Sequence, residues 1–328
     1  MVTSFRHNPF QRVRIKLAAF YTAGVLVLVI VFSISVYVLF SRNAADNLEY
    51  QGPGSDQEAS VETQIVTNEL HRLQIILLVM DGLVVFLAGG VSYFVAGKAL
   101  QPVEAAYAAQ KKFVADAAHE LRTPLAIMKT GAETVLAGDG SSEEYRRYII
   151  DSLEEAEFLT SVINDLLFLA RSGNSVPAVY PLDFGELVQK QVRLMAPYAS
   201  ARSISLSCQR AENLIINGNP DHLRRLLGNL IKNAIDYNRA HGWVKVSLQR
   251  AKGSVVLEVA DSGTGISARD LARVFDRFYK ADAARSDAGG AGLGLSIAKE
   301  IVATHRGKID ISSKQEQGTQ VTVRLPAA

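Results

Sequence analysis

The chain has 328 residues, 48% of them hydrophobic and 21% charged, with a formal net charge of +2 and a mean hydropathy of +0.11. That length exceeds an ordinary single domain and requires two or three units, while the near-balanced charge excludes a nucleic-acid-sized basic surface and leaves nucleic acid out of the expected partners. The single cysteine, Cys208, excludes an intrachain disulfide and a cysteine-based zinc cluster, and beside Ser205, Leu206 and Ser207 it reads as an ordinary strand position.

The excess hydropathy sits in two places. Residues 17–40 form an uncharged apolar run, and residues 75–95 form a second, interrupted only by Asp81. Each is long enough to cross a bilayer, which takes roughly 20 residues. For the first, the length of the apolar core and the lack of a closely following small-residue cleavage site favour a span over a cleaved signal peptide. Arg6, Arg12, Arg14 and Lys16 precede the first run, and Lys98, Lys111 and Lys112 follow the second; between them lie Asp46, Glu49, Asp56, Glu58, Glu62 and Glu69, with Arg42 and Arg72 the basic residues. The positive-inside rule places residues 1–16 in the cytoplasm, residues 41–74 outside as a short loop, and the rest inside again. The protein is thus expected in a membrane with both termini cytoplasmic, with the lipid bilayer as a partner. The loop, with its Gly52-Pro53-Gly54 turn, is too short to bury a core. Asp81 is either a tolerated carboxylate or a polar contact with the first span (Ser33, Ser35 or Tyr37) or with a second copy of the chain.

A juxtamembrane helix is expected over residues 96–112, broken at Pro102. It leads into His119-Glu120-Leu121-Arg122-Thr123-Pro124-Leu125. At 100° per residue His119 lies about 200° from Ala117 and Leu121, opposite an apolar stripe of Phe113, Ala117 and Leu121. Glu120 is placed to hold or remove a ring proton, Thr123 lies one turn on, and Pro124 removes a hydrogen bond to the Glu120 carbonyl, which should kink or loosen the helix. A turn at Gly138-Asp139-Gly140 follows, and Ser141 or Ser142 can cap the next helix ahead of Glu143 and Glu144. In that helix Ile149, Leu153, Ala156, Ile163, Leu167 and Ala170 fall near heptad spacing, which predicts a helical hairpin over residues 113–173 that pairs with a second copy. Residues 174–181 are a linker.

From residue 182 the pattern is α+β, with helices against one face of a mixed sheet. Residues 204–209, 244–249, 255–259, 308–312 and 320–325 read as strands, with a hairpin at Lys252-Gly253. Asn219-Pro220-Asp221 reads as a helix start, and residues 293–305 as a helix stopped by Gly307. Four elements suit a nucleotide. Asp261, heading Asp261-Ser262-Gly263-Thr264-Gly265, can accept the exocyclic amine of adenine. Asn229 and Asn233 offer carbonyl oxygens on one helix face, enough for Mg²⁺ shared with phosphate oxygens. Gly289-Gly290-Ala291-Gly292-Leu293-Gly294 is a lid running into a helix start. Arg277 and Lys280, in Phe275-Asp276-Arg277-Phe278-Tyr279-Lys280, can supply cations to phosphates.

The heptapeptide resembles the phosphoacceptor box of bacterial two-component sensor histidine kinases, and the four later elements resemble that family's N, G1, F and G2 boxes, in the ATP fold shared with gyrase-type and Hsp90-type ATPases. Together the resemblance covers roughly residues 101–326. It implies two transmembrane helices, a dimeric hairpin forming a four-helix bundle, and an ATP-binding α+β sandwich over residues 182–328. It also implies autophosphorylation of His119 from Mg-ATP with Glu120 as base, transfer to the receiver domain of a response regulator, and a homodimer. Thr123 would orient water for dephosphorylating that regulator. The ATP and Mg²⁺ site would draw on Asn229, Asn233, Tyr237, Asp261, Gly263, Gly265, Ile266, Phe275, Arg277, Phe278, Lys280, Gly290, Gly292, Leu293, Gly294 and Leu295, with Asn233 and Asn229 at the metal. The sequence departs from the family at Asp236, where many relatives carry a phosphate-contacting basic residue, and in the short distance from Val95 to His119, which leaves no room for a HAMP relay. The rival readings are an ATPase of the same fold that uses ATP for conformational work, and a degenerate membrane scaffold without phosphotransfer.

Overall fold

The computed structural model describes residues 9–50, 56–138, 141–172, 178–210, 214–251, 253–280 and 290–328. Arg6, the Gly52-Pro53-Gly54 turn, Asp139 and Gly140, Gly173 at the end of the expected hairpin, residues 174–177 of the linker, Lys252 and Gly289 lie outside the described residues. The chain divides into two units, Met1–Lys112 and Phe113–Ala328.

In the first unit, helix α1 (Pro9–Tyr50) faces the opening part of helix α2 (Asp56–Ala137). Both carry stretches long and apolar enough to cross a membrane, with mean hydropathies of 2.8 and 2.3. Large apolar side chains such as Phe20, Leu28, Phe32, Leu78 and Phe86 stay exposed along them. The helices run antiparallel, as their contacts show. Phe10 meets Tyr107 edge-on at 5.7 Å. The Arg14 guanidinium lies 3.8 Å over the Tyr93 ring, and its Nε donates to the Tyr93 carbonyl at 3.1 Å. Thr22 lies beside Gly89, and Ser33 Oγ donates to Asp81 Oδ1 at 2.8 Å.

The described residues between the two apolar runs are helical, since α1 continues to Tyr50 and α2 begins at Asp56; extending an existing helix avoids the nucleation penalty. One expectation is corrected here: the break expected at Pro102 is absent, since α2 runs unbroken through both Pro102 and Pro124. Proline's fixed φ is itself helical, so in a long helix it can remove one hydrogen bond without ending the helix.

The second unit begins within α2, which turns back into α3 (Ser142–Ser172). Ser141 and Glu144 form a reciprocal capping box: the Glu144 N–H donates to Ser141 Oγ at 3.3 Å, and the Ser141 N–H donates to Glu144 Oε2 at 2.7 Å. Tyr148 ties the hairpin by donating to the Met128 carbonyl at 3.2 Å. Leu125, Ile127, Ile149, Leu153, Ile163 and Leu167 remain exposed.

Strand β1 (Tyr180–Asp183) begins inside the span read as linker, and Asp183 caps α4 (Phe184–Ala201) by accepting from the Gly185 and Glu186 N–H groups. Strands β2 (Ser205–Arg210) and β3 (Ile215–Gly218) precede α5 (Pro220–Asp236). The Asn219 side chain caps α5 at the Asp221 and His222 N–H groups, with Pro220 in its first turn. Strands β4 (Trp243–Ala251) and β5 (Ser254–Asp261) form a hairpin. A short α6 (Ala268–Leu271), α7 (Gly294–Thr304), β6 (Lys308–Lys314) and β7 (Gly318–Pro326) complete the unit. The main sheet has the order β2-β4-β5-β7-β6, with β2 parallel to β4 and the remaining pairs antiparallel; β1 and β3 form a separate pair. Phe184, Leu226, Leu227, Ile231, Leu257 and Ile297 are fully buried in the layer between helices and sheet. Val162 and Leu169 of α3 join the same core. The helical hairpin and α+β layer therefore match the expected fold class.

Candidate nucleotide and phosphoacceptor site

On α2, Phe113 and Leu121 pack against the core and Ala117 is buried, whereas His119 is exposed. The apolar stripe and the outward histidine thus lie where helical periodicity placed them. Thr123 Oγ1 donates weakly to the His119 carbonyl at 3.4 Å. Glu120 Oε2 lies 3.3 Å from Lys280 Nζ.

A cavity of about 320 Å³ lies between α5, the end of β5 and the start of α7. Asn229, Asn233, Tyr237, Asp261, Gly265, Ile266, Lys280, Gly290, Gly292, Leu293, Gly294 and Leu295 line it. The lining also includes Lys232, Thr264, Thr319 and, from α3, Phe158, Ser161, Val162 and Asp165, which the sequence reading did not single out.

Asp261 closes one end. Its Oδ1 accepts from the Gly263 N–H at 2.8 Å and the Thr319 N–H at 3.1 Å. Among the described residues none donates to Oδ2, which leaves an acceptor for an amine. Burial pushes the Asp261 carboxyl above the usual carboxylate value of 3.8, against the pull of those two N–H groups. Gly265 takes φ +65° where the backbone presses on the Lys314 carbonyl, so a side chain there meets both strain and a clash. Gly292 takes φ +71°, and a Cβ would stand 2.8 Å from the Phe278 carbonyl carbon.

At the other end Asn229 Nδ2 donates to the Gly294 carbonyl at 3.2 Å, which ties α5 to the first residue of α7. The α7 N-terminus has no side-chain cap, so its N–H groups stay available beside the cavity. Asn233 borders the same space with a neutral carboxamide. Among the described residues no cluster of three or more His, Cys, Asp or Glu side chains exists to hold a metal ion. The two carboxamides offer neutral oxygens, the kind of donor an ion with its own phosphate and water ligands can share.

Four of the expected nucleotide residues stand off the cavity lining: Gly263, Phe275, Arg277 and Phe278. The Arg277 guanidinium lies 5.1 Å over the Phe113 ring, and Phe278 packs on Phe113 at 5.9 Å while holding φ +61°. Phe275 faces Lys299, whose ammonium is 5.6 Å from its ring. Side-chain direction decides this, because α2 offers the segment an aromatic surface. Asp236 is also away from the cavity. It accepts from Tyr198 Oη at 2.6 Å and pairs with Lys232 at 2.5 Å and with Arg202 at 3.8 Å.

The histidine-bearing hairpin matches the His Kinase A (phospho-acceptor) domain over residues 109–175, and residues 218–328 match the histidine kinase-, DNA gyrase B- and HSP90-like ATPase family. The sensor-like histidine kinase SenX3 of Mycobacterium tuberculosis is 36% identical over 223 residues, covering 67% of this chain and 54% of SenX3. The sensor histidine kinase CusS of Escherichia coli K12 is 34% identical over 236 residues, 70% of this chain and 48% of CusS. The full-length ShkA structure in complex with AMPPNP superposes with a TM-score of 0.51 at 28% identity, over 64% of this chain and 44% of ShkA. The ThkA–TrrA complex shares the fold, with a TM-score of 0.57 at 20% identity over 70% of this chain and 66% of that one. The chain belongs to the bacterial two-component sensor histidine kinase family. Its match spans about half the length of SenX3 and CusS.

Proposed function

We propose that the protein is a membrane histidine kinase that phosphorylates His119 from Mg-ATP and passes the phosphoryl group to an aspartate of a response regulator. The observation that carries this reading is an exposed His119, flanked by Glu120, on a helix whose opposite face packs onto the domain that holds the Asp261–Asn233 cavity. A His119 ring nitrogen attacks the γ-phosphorus, the bond to the β-phosphate oxygen breaks, ADP leaves, and Glu120 takes the ring proton. Asp261 reads the adenine amine, Gly265 and Ile266 give the base its backbone wall, and the free α7 N–H groups receive phosphate oxygens. Asn233 and Asn229 would hold Mg²⁺, which would supply charge neutralisation to the phosphates. Arg277 can reach the nucleotide once its contact with Phe113 is released. That ShkA holds AMPPNP supports ATP as the nucleotide.

Thr123 orients water when the same hairpin dephosphorylates the regulator. The exposed Ile149, Leu153, Ile163 and Leu167 pair the hairpin with a second copy as a four-helix bundle. Residues 17–40 and 75–95 cross the bilayer with both termini cytoplasmic, given the basic flanks and the acidic connection. Incubating the full chain with γ-labelled ATP tests the reading. Label that is acid-labile and absent in His119→Gln, which still binds nucleotide, is the expected result; label retained in His119→Gln would overturn it.

A further inference from the structure

Among the described residues, two cations border the cavity, Lys232 and Lys280. Lys280 is paired with Glu120 across the groove to α2, and Arg277 lies over Phe113. Lys232 stands three residues after Asn229 on α5, so the two are neighbours on the helix surface, and both border the cavity with Asn233. The cavity also has carboxylates on its wall, from Asp165, Asp261, Asp270 and Glu316. A phosphate chain entering it needs a cation close to the asparagines.

The surroundings of Lys232 are built. Its ammonium lies 2.5 Å from Asp236 Oδ2 one helical turn on, and the Asp236 side chain is only 8% exposed. Asp236 Oδ1 accepts from the Tyr198 hydroxyl at 2.6 Å, and Arg202 Nε stands 3.8 Å away. Arg202 in turn lies 3.8 Å over the Tyr198 ring. Burial and the facing Asp236 carboxylate push the Tyr198 phenol up to about 12, so it remains a donor at neutral pH. Tyr198 of α4 and Arg202 at its C-terminal cap thus hold Asp236, and Asp236 holds the lysine. The Lys232 side chain is 45% exposed, and an ammonium has three donors, so it can keep Asp236 and still give a hydrogen bond to a phosphate oxygen.

We infer that Lys232 is a phosphate-binding residue of the nucleotide site and that Asp236, fixed by Tyr198, is its positioning residue. This rests on the reading of the cavity as an ATP site. The test is titration of the full chain with ATP and with adenosine, which lacks phosphates but shares the adenine contacts. Lys232→Met should weaken ATP by about tenfold, the loss of one charge-assisted hydrogen bond, and leave adenosine unchanged. Lys232→Arg should keep most of the ATP affinity. Asp236→Asn should lower ATP affinity several-fold, again sparing adenosine. An ATP affinity within twofold of wild type in Lys232→Met, or equal losses for ATP and adenosine, overturns the inference. A wild-type chain that binds ATP no better than adenosine would sink the nucleotide reading as well, and is told apart by needing no variant.

Discussion

Glu120 Oε2 and Lys280 Nζ are 3.3 Å apart, so the carboxylate beside His119 is paired with a lysine on the rim of the cavity. Both side chains are about a third exposed or less, at 27% and 32%, so the pair is partly shielded from solvent. If Glu120 is the base and Lys280 sets its direction, the two act as one unit. Glu120→Gln should slow phosphorylation by roughly 10²–10⁴-fold. Lys280→Met should slow it less, and the double variant should be no slower than Glu120→Gln alone. Rates that multiply in the double variant would show two independent roles.

Asp165 of α3 pairs with Arg225 of α5, and Phe168 lies 4.5 Å from the same guanidinium and edge-on to His222 at 5.0 Å. These contacts seat the catalytic layer on the hairpin, and α3 residues close one wall of the cavity. Asp165→Ala leaves a half-buried guanidinium without its carboxylate and should lower the stability of this packing by about 1–3 kcal/mol. Proteolysis between the hairpin and the catalytic layer should then quicken, and nucleotide affinity should rise because a carboxylate has left the wall. Unchanged cleavage together with unchanged affinity would rule out this docking in solution.

Burial raises the Asp261 carboxyl above 3.8, so the folded domain takes up this proton at higher pH than the unfolded chain does. By linkage, ionised Asp261 opposes folding at neutral pH, and that opposition is relieved as pH falls through the raised value. Adenine binding runs the other way, since the amine needs the ionised carboxylate as acceptor. Adenosine affinity should therefore weaken as pH drops through a midpoint above 3.8, and Asp261→Asn should show little of this dependence on weaker overall binding. A flat adenosine profile in the wild type from neutral pH to about 4 would remove Asp261 from the adenine contact.

The elements that carry the site were legible where local chemistry specifies them. Asn219-Pro220-Asp221 announces α5, and the alternation in β4 and β5 fits a sheet with one buried face. Helix α4 was missed although Asp183 and Glu186 stand at capping-box spacing ahead of Val188, Val192 and Ala199, which are buried. That omission hid the reason for Asp236, whose partners Tyr198 and Arg202 lie on or next to α4. The four-residue strands β1 and β3 carry too little pattern to be read before their pairing is known. Arg277 and Phe278 turn to Phe113, a contact made by a helix distant in sequence, which no local periodicity encodes.

In the first unit, Asp81 Oδ1 accepts from Ser33 Oγ at 2.8 Å, and Ser35 instead donates to the Val31 carbonyl. Of the partners expected for Asp81 on α1, Ser33 is the one in contact. A carboxylate in an apolar span is unfavourable by roughly 2.5–3.5 kcal/mol at a bilayer centre, and a hydroxyl donor offsets part of that. The contact sets α1 and α2 in register together with the Arg14–Tyr93 contact. A hydrogen bond between spans contributes about 0.6 kcal/mol on average, small enough for insertion to survive its loss and large enough to move a balanced equilibrium. Asp81→Leu and Ser33→Ala should each leave insertion intact and shift kinase against phosphatase output in the same direction. The double variant should shift it no further than Asp81→Leu alone. Regulator phosphorylation in membranes at matched protein levels reads this out; opposite shifts, or wild-type output in both single variants, would make the Ser33–Asp81 contact a passenger in signalling.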